Sequence, residues 1–433
     1  MEATAYPDWS GLPQDLMATV MRALDIPDLF SAGAVCGPWR AAYSAVRGVR
    51  VPITDASPCL LYSCAADDAG TATMYSPSSG ASFKVPLPAP AFRARYVVGS
   101  GHGWVVAADE ASNLQLLNPL TGAQVDLPPV TGLHHIESSL DDHGRLVAYN
   151  VYGEYPHPET PHPYDTKKLR LILYCRAYLS CSPSAGAAAA CITLLLHRGD
   201  GDLSFARVGD GRWTHVAESG SVPLRQSSGY RSAAYNSSDS LFYLLSYDCS
   251  IYTLDLNGAS PALSKILQGD ARRDDPTRSI VFAPWGDILQ ACRWIETRDN
   301  PGQVPAELAH EVVNPNAETY TDEIELYRVD AGVQKWVKMS STELRGYAMF
   351  LGFNSTLMLS TEDFPMLKPN CAYVTDDSWE NICINMYGCR EVGIWNFEKQ
   401  ALEILGDVQS VHSWLNWPPP VWITPSLSCK RDW

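Results

Sequence analysis

One local pattern occurs six times between residues 73 and 405: a short aromatic or aliphatic run, a polar turn, then a second short run. The copies pair Thr73-Met74-Tyr75-Ser76-Pro77 with Phe83-Lys84-Val85, Leu114 to Pro119 with Val125-Asp126-Leu127, and Leu203 to Arg207 with Trp213 to Val216. Three more follow: Ile251 to Leu256 with Leu263 to Leu267, Ile324 to Val329 with Trp336 to Met339, and Ile394 to Phe397 with Leu402 to Leu405. Upstream of most copies lie two further apolar runs, such as Gly103-Trp104-Val105-Val106 and Leu241 to Leu245. A hairpin cannot bury both faces by itself, whereas four-stranded units stacked in a ring cover one another. The pattern predicts a mainly β protein built as a β-propeller. Six blades are expected; Thr131 to Lys168 is either a seventh or a long loop. Two tandem sandwiches are the structural alternative. The first unit, Pro58 to Leu87, shows only three strands. The sole apolar run after the last hairpin is Val421-Trp422-Ile423-Thr424, behind a stiff Pro418-Pro419-Pro420 lead, and it is expected to return and close the ring.

The first fifty residues carry a different period. Pro13 stands where a helix tolerates proline, and Leu16, Val20 and Leu24 then recur every four residues, flanked by Met17 and Met21. Pro27 restarts a second helix through Leu29 and Phe30. Pro38 begins a third, with Trp39, Tyr43 and Val46 at helical spacing. Three short helices bury too little surface to stand alone, so a partner covering their remaining apolar face is expected.

Composition narrows the partners. The formal net charge is −16, and no Lys/Arg-rich run occurs. Phosphate-gripping proteins need a basic stripe, so neither nucleic acid nor an anionic membrane surface is an expected ligand. Ala177 to Leu196 is uncharged over twenty residues, but its serines, Pro183 and Gly186 make it strand, small-residue loop and strand, not a membrane span. The 12 cysteines include no C-x-x-C pair, and Met1 to Asp8 has neither a basic region nor an apolar one. Reduced thiols in the cytoplasm or nucleus are the expectation.

The N-terminal anchors Leu12-Pro13, Leu24-Asp25-Ile26-Pro27-Asp28-Leu29 and Val35-Cys36-Gly37-Pro38-Trp39 resemble the F-box in order and spacing. Gly37-Pro38 departs from that pattern, which has polar or basic residues there. Further on, Leu351-Gly352-Phe353-Asn354-Ser355, Pro365 to Tyr373 and Pro420 to Pro425 are similar to the plant F-box family with a C-terminal KIB-type β-propeller, as is Trp9-Ser10. The resemblance implies an F-box over residues 8–48 and a KIB-type propeller over residues 57–426. It implies docking to a Skp adaptor, and through it a cullin, by Leu12, Pro13, Leu16, Val20, Leu24, Ile26, Pro27, Leu29, Phe30, Val35, Cys36 and Trp39. It names no target.

Catalytic motifs are weak. Val98-Gly99-Ser100-Gly101-His102-Gly103 lies between strands and reads as a tight turn, not a phosphate loop. His310-Glu311-Val312-Val313-Asn314 lacks the last metalloprotease ligand. His134, His135, His143, His157 and His162 share one long insert beside Asp141, Asp142 and Glu154, but their spacing matches no closed metal site, and a solvated loop is expected. No metal, cofactor or catalytic residue is therefore expected. The chain reads as a non-catalytic adaptor, the substrate-recognition subunit of a Skp–cullin–F-box ubiquitin ligase. The alternatives are a propeller enzyme or small-ligand binder with a helical cap, and an F-box protein acting outside a ligase.

Overall fold

The structure is a computed structural model describing residues 8–24, 26–49, 57–63, 68, 70–153, 159–183, 190–198, 201–216, 229–269, 276–299, 317–330, 332–384, 391–405, 408 and 417–426. A single 3₁₀ turn, Trp9–Gly11, precedes helices α1 (Gln14–Ala23), α2 (Ile26–Gly33) and α3 (Gly37–Val49). The backbone N–H of Arg40 donates to the Cys36 carbonyl at 2.9 Å, so α3 opens at Gly37-Pro38, where the missing proline N–H costs no helical bond.

Strands then follow without another helical bundle. The first sheet holds β1 (Cys59–Tyr62), β2 (Thr71–Ser76) and β3 (Ala81–Pro86); the second holds β4 (Tyr96–Gly101), β5 (Trp104–Ala108), β6 (Leu114–Leu117) and β7 (Gln124–Asp126). An inserted sheet has β8 (Ile136–Leu140), β9 (Leu146–Val151) and β10 (His162–Tyr164), and helix α4 (Thr166–Leu173) leads out of it. The third sheet comprises β11 (Tyr174–Leu179), β12 (Ile192–His197), β13 (Asp202–Arg207) and β14 (Thr214–His215). The fourth comprises β15 (Tyr230–Asn236), β16 (Leu241–Ser246), β17 (Ile251–Asp255) and β18 (Ala262–Leu267). In the fifth are β19 (Thr277–Phe282), β20 (Ile288–Asp299), β21 (Ala317–Asp330) and β22 (Lys335–Lys338). The sixth takes β23 (Tyr347–Leu351), β24 (Leu357–Ser360), β25 (Cys371–Thr375), β26 (Val392–Asn396) and β27 (Ala401–Ile404), with helix α5 (Trp379–Ile384) between β25 and β26. Last comes β28 (Val421–Ile423).

Each of the second to fifth sheets is a simple antiparallel meander in chain order. All six repeats seen in the sequence are the two outermost strands of a sheet: β2–β3, β6–β7, β13–β14, β17–β18, β21–β22 and β26–β27. Their connections are tight and polar. At the second, the Asn118 side chain accepts from Leu120 N and Thr121 N, while Gly122 takes the φ of +70° that ends the turn. The sixth sheet departs from the meander, because β23 lies parallel to β25 and β24 folds back on its other side.

Apolar layers between sheets close a ring. Leu194, Phe205, Phe242 and Leu254 bind the third sheet to the fourth; Leu245, Ile251 and Ile280 bind the fourth to the fifth. Leu289, Leu326, Met349 and Trp395 join the fifth to the sixth, and Phe350, Tyr373, Leu60 and Tyr62 join the sixth to the first. On the remaining side β4 lies directly against both β28 and β11. The insert β8–β10 is therefore a three-stranded appendage, not a blade between the second and third sheets. As expected, β28 returns to the first sheet, pairing Ile423 with Cys59, Trp422 with Leu60 and Val421 with Leu61. No described helix is long and apolar enough to cross a membrane.

Candidate functional site

The helical unit turns one apolar set inward and another outward. Met17, Met21, Leu29, Ala42 and Val46 are buried, and α2 meets α3 so closely that a Cβ on Gly33 would stand 2.7 Å from the Tyr43 ring. Trp39 Nε1 donates to the Trp9 carbonyl at 3.0 Å, which pins the 3₁₀ turn across the start of α3. Between these elements runs an open groove of about 550 Å³ lined by Asp8, Trp9, Ser10, Val35, Cys36 and Trp39. Trp9 is 61% exposed and Val35 68%, with Leu16 and Val20 also on the surface. An exposed apolar strip of this kind marks an interaction surface.

Of the expected docking residues, Pro13, Leu16, Val20 and Val35 are exposed, and Leu12, Leu24, Cys36 and Trp39 are half-buried. Leu29 corrects the expectation: it is fully buried among the helices, so it shapes the surface from beneath and offers a partner nothing. The side chains of Ile26, Pro27 and Phe30 lie outside the described residues. Trp9, which the sequence marks only as part of the family resemblance, was not among the expected docking residues because it precedes the periodic segment.

A second concavity, of about 400 Å³, opens among the third, fourth and fifth sheets and α5. Arg176, Arg231, Arg278, Tyr230, Tyr247 and Trp379 line it. Its floor is an ion network. Arg176 bonds Asp377 at 2.6 Å; Arg293 bonds Asp377 at 3.2 Å and Glu391 at 2.7 Å. Burial opposes the charges on Arg176 and Arg293, but the carboxylates of Asp377 and Glu391 outweigh it and hold both guanidinium groups above their ordinary pKa. Arg176 also donates to Gly352 O at 2.6 Å and Arg293 to Thr375 O at 2.6 Å, so the third, fifth and sixth sheets are tied beneath the cleft. A rigid polar floor under an aromatic and cationic rim suits a protein segment or a small polar ligand.

The histidines require a second correction. His135 is buried, and His134, although exposed, stands apart from His143 and His162. His134 and His135 lie against the third sheet, where His135 stacks on His197 at 5.2 Å and His134 meets His215 at 4.2 Å between ring centroids. Burial pushes His135 down to about 2 and His197 down to about 3. His143 is exposed on the β8–β9 turn and His162 begins β10, whereas His157, Glu154 and the 310–314 segment lie outside the described residues. The partners His197 and His215 come from strands 62 and 81 positions further along the chain, which no local spacing could reveal.

The same architecture recurs in known proteins. The KIB1-4 beta-propeller family matches residues 74–396. F-box protein SKIP23 of Arabidopsis thaliana is 21% identical over 96% of both chains. F-box protein At5g25290 and F-box/kelch-repeat protein At1g57790, from the same plant, are 27% and 34% identical over shorter stretches. The matched stretch spans 38% and 32% of those two relatives' lengths. With helices and strands in this order and the match running through all six sheets, the chain belongs to the KIB1-4 beta-propeller family, as a plant F-box protein with a C-terminal KIB-type propeller.

Proposed function

We propose that the chain is a non-catalytic substrate adaptor: its helices dock a Skp adaptor linked to a cullin, and its propeller holds a target protein for ubiquitin transfer in the cytoplasm or nucleus. The observation that carries this reading is the groove at Trp9, Val35, Cys36 and Trp39, an apolar surface left open by a helical unit too small to justify it as core. Leu12, Pro13, Leu16, Val20 and Leu24 extend the same docking surface. Holding target and transfer machinery together supplies proximity, so the adaptor needs no reacting group of its own. The cleft above the Arg176–Asp377 floor is where the target is expected to bind.

The test is capture of a purified plant Skp adaptor by the full chain. Val35 supports nothing beneath it, so Val35→Arg places a charge in the groove without disturbing the helices. Wild type should capture the adaptor and Val35→Arg should lose at least about tenfold in affinity, the scale of a hot-spot residue. Equal capture by both proteins would overturn the docking assignment.

A further inference from the structure

The turn before β8 and the edge of the third sheet hold a cluster that the adaptor role does not use. The ligand atoms of His134, Asp202 and His215 all lie within 4.8 Å of one another. Donor atoms sharing a tetrahedral zinc at about 2.1 Å stand about 3.4 Å apart. The His215 Nε2 to Asp202 Oδ1 separation is 3.4 Å already. We propose that His134, Asp202 and His215 form a divalent transition-metal site, of the zinc class, that fastens the root of the inserted sheet to the third blade.

The donor set and its surroundings support this. Two imidazoles and one carboxylate are ligands of borderline hardness that suit zinc and leave a fourth position for water. Metal-bound carboxylates are oriented by outer hydrogen bonds. Here Arg198 sits on the other oxygen, Asp202 Oδ2, at 3.4 Å, and is itself held by the Gly153 carbonyl of the insert at 2.8 Å. That arrangement leaves Oδ1 turned toward the two histidines. Behind them His135 is 96% buried, with its ring 4.7 Å from that of His134, and neither of its nitrogens has a hydrogen-bond partner among the described residues. A buried imidazole without a partner needs an explanation, and a hydrated ion beside it supplies one.

The mechanical role follows from where the ligands sit. Asp202 opens β13 and His215 ends β14, a two-residue edge strand, while His134 belongs to the connection entering β8. The contact is already close: Trp213 Nε1 donates to Pro128 O at 3.0 Å, and a Cβ on Gly132 would stand 3.3 Å from the Arg212 Cα. An ion there would lock a short edge strand and an appendage into one unit.

The experiment uses the full chain without a histidine tag, produced in zinc-supplemented medium, desalted and subjected to elemental analysis. About one zinc per chain is expected, falling to background in His134→Ala and in His215→Ala. Because His134 is exposed, its loss should leave the circular dichroism of the metal-free protein unchanged. Zinc added to chelator-stripped wild type should raise its melting temperature, and should not raise that of His134→Ala. Background zinc in wild type with no zinc-dependent melting shift would overturn the site. So would zinc retained by the His134→Ala/His215→Ala double variant, or iron found in its place.

Discussion

Single residues in this propeller act mainly through contacts that span great distances along the chain. Gly99 is the sharpest case. A Cβ there would stand 2.1 Å from the Ala177 carbonyl oxygen, because β4 and β11 are neighbouring central strands. Backbone cannot yield as a side chain can, so Gly99→Ala should cost about 2–3 kcal/mol, visible as a lower denaturation midpoint. The Val98 to Gly103 stretch was legible as a tight turn, and His102 and Gly103 do take positive φ there. That Gly99 serves the next blade was not legible, since only the ring brings Ala177 to it. Asp377 is of the same kind. It is 3% exposed and answers two arginines that lie about 200 and 84 positions back along the chain. Asp377→Ala leaves both guanidinium groups buried without their shared partner and should destabilise the protein by about 3–5 kcal/mol in chemical denaturation. A loss under about 1 kcal/mol would mean that the network is not closed in solution.

Elements divide between those that show a period and those that do not. The outer hairpins were legible because each has one partly exposed strand and a polar turn; β18, for example, is exposed or half-exposed until its last residue, Leu267. Inner strands such as β5 and β12 are buried throughout and read only as apolar runs. The insert was undecided between blade and loop because its three strands alternate weakly, even though Ile136, Tyr149 and Val151 are buried against the ring. Helix α1 carries two apolar faces where the period showed one. Leu16, Val20 and Leu24 do share a stripe, yet Met17 and Met21 are the residues turned into the bundle. This division makes a paired prediction. Met21→Ala should cost the helical unit about 2–4 kcal/mol, read as lost helicity and lower proteolytic resistance. Leu16→Asp should leave helicity intact and weaken capture of the Skp adaptor. If Leu16→Asp unfolds the unit and Met21→Ala does not, the two faces have been exchanged.

At the scale of the whole molecule, everything depends on one late strand. The first sheet owns only β1, β2 and β3 from its own stretch of chain, and without β28 its central edge would expose unpaired backbone groups. Three residues supply the closure, but their contacts reach far beyond one ladder. Trp422 is fully buried, edge-on to Phe350 at 5.3 Å and to Tyr373 at 5.9 Å, so it also seals the first sheet to the sixth. Its carbonyl accepts from the Ser100 hydroxyl at 2.5 Å, and the Ser100 carbonyl accepts from Ser355 N at 2.7 Å, which draws the second sheet into the same junction. Three blades therefore meet on β28, which follows all six hairpins in sequence, so the ring cannot close until that segment is in place. Removing residues from Pro420 onward should expose the β1 edge together with the Phe350–Tyr373 layer, and the truncated protein should aggregate or melt well below full length. Trp422→Ala keeps the ladder but empties the layer, and should cost about 3–5 kcal/mol. Among the described residues none from the helices belongs to the Trp422 layer, so capture of the Skp adaptor should survive Trp422→Ala while target binding is lost. Size-exclusion profiles and thermal melts decide it: a truncated monomer that melts like the full chain would mean that the ring is held by its blade-to-blade layers alone, with β28 an ornament on the edge.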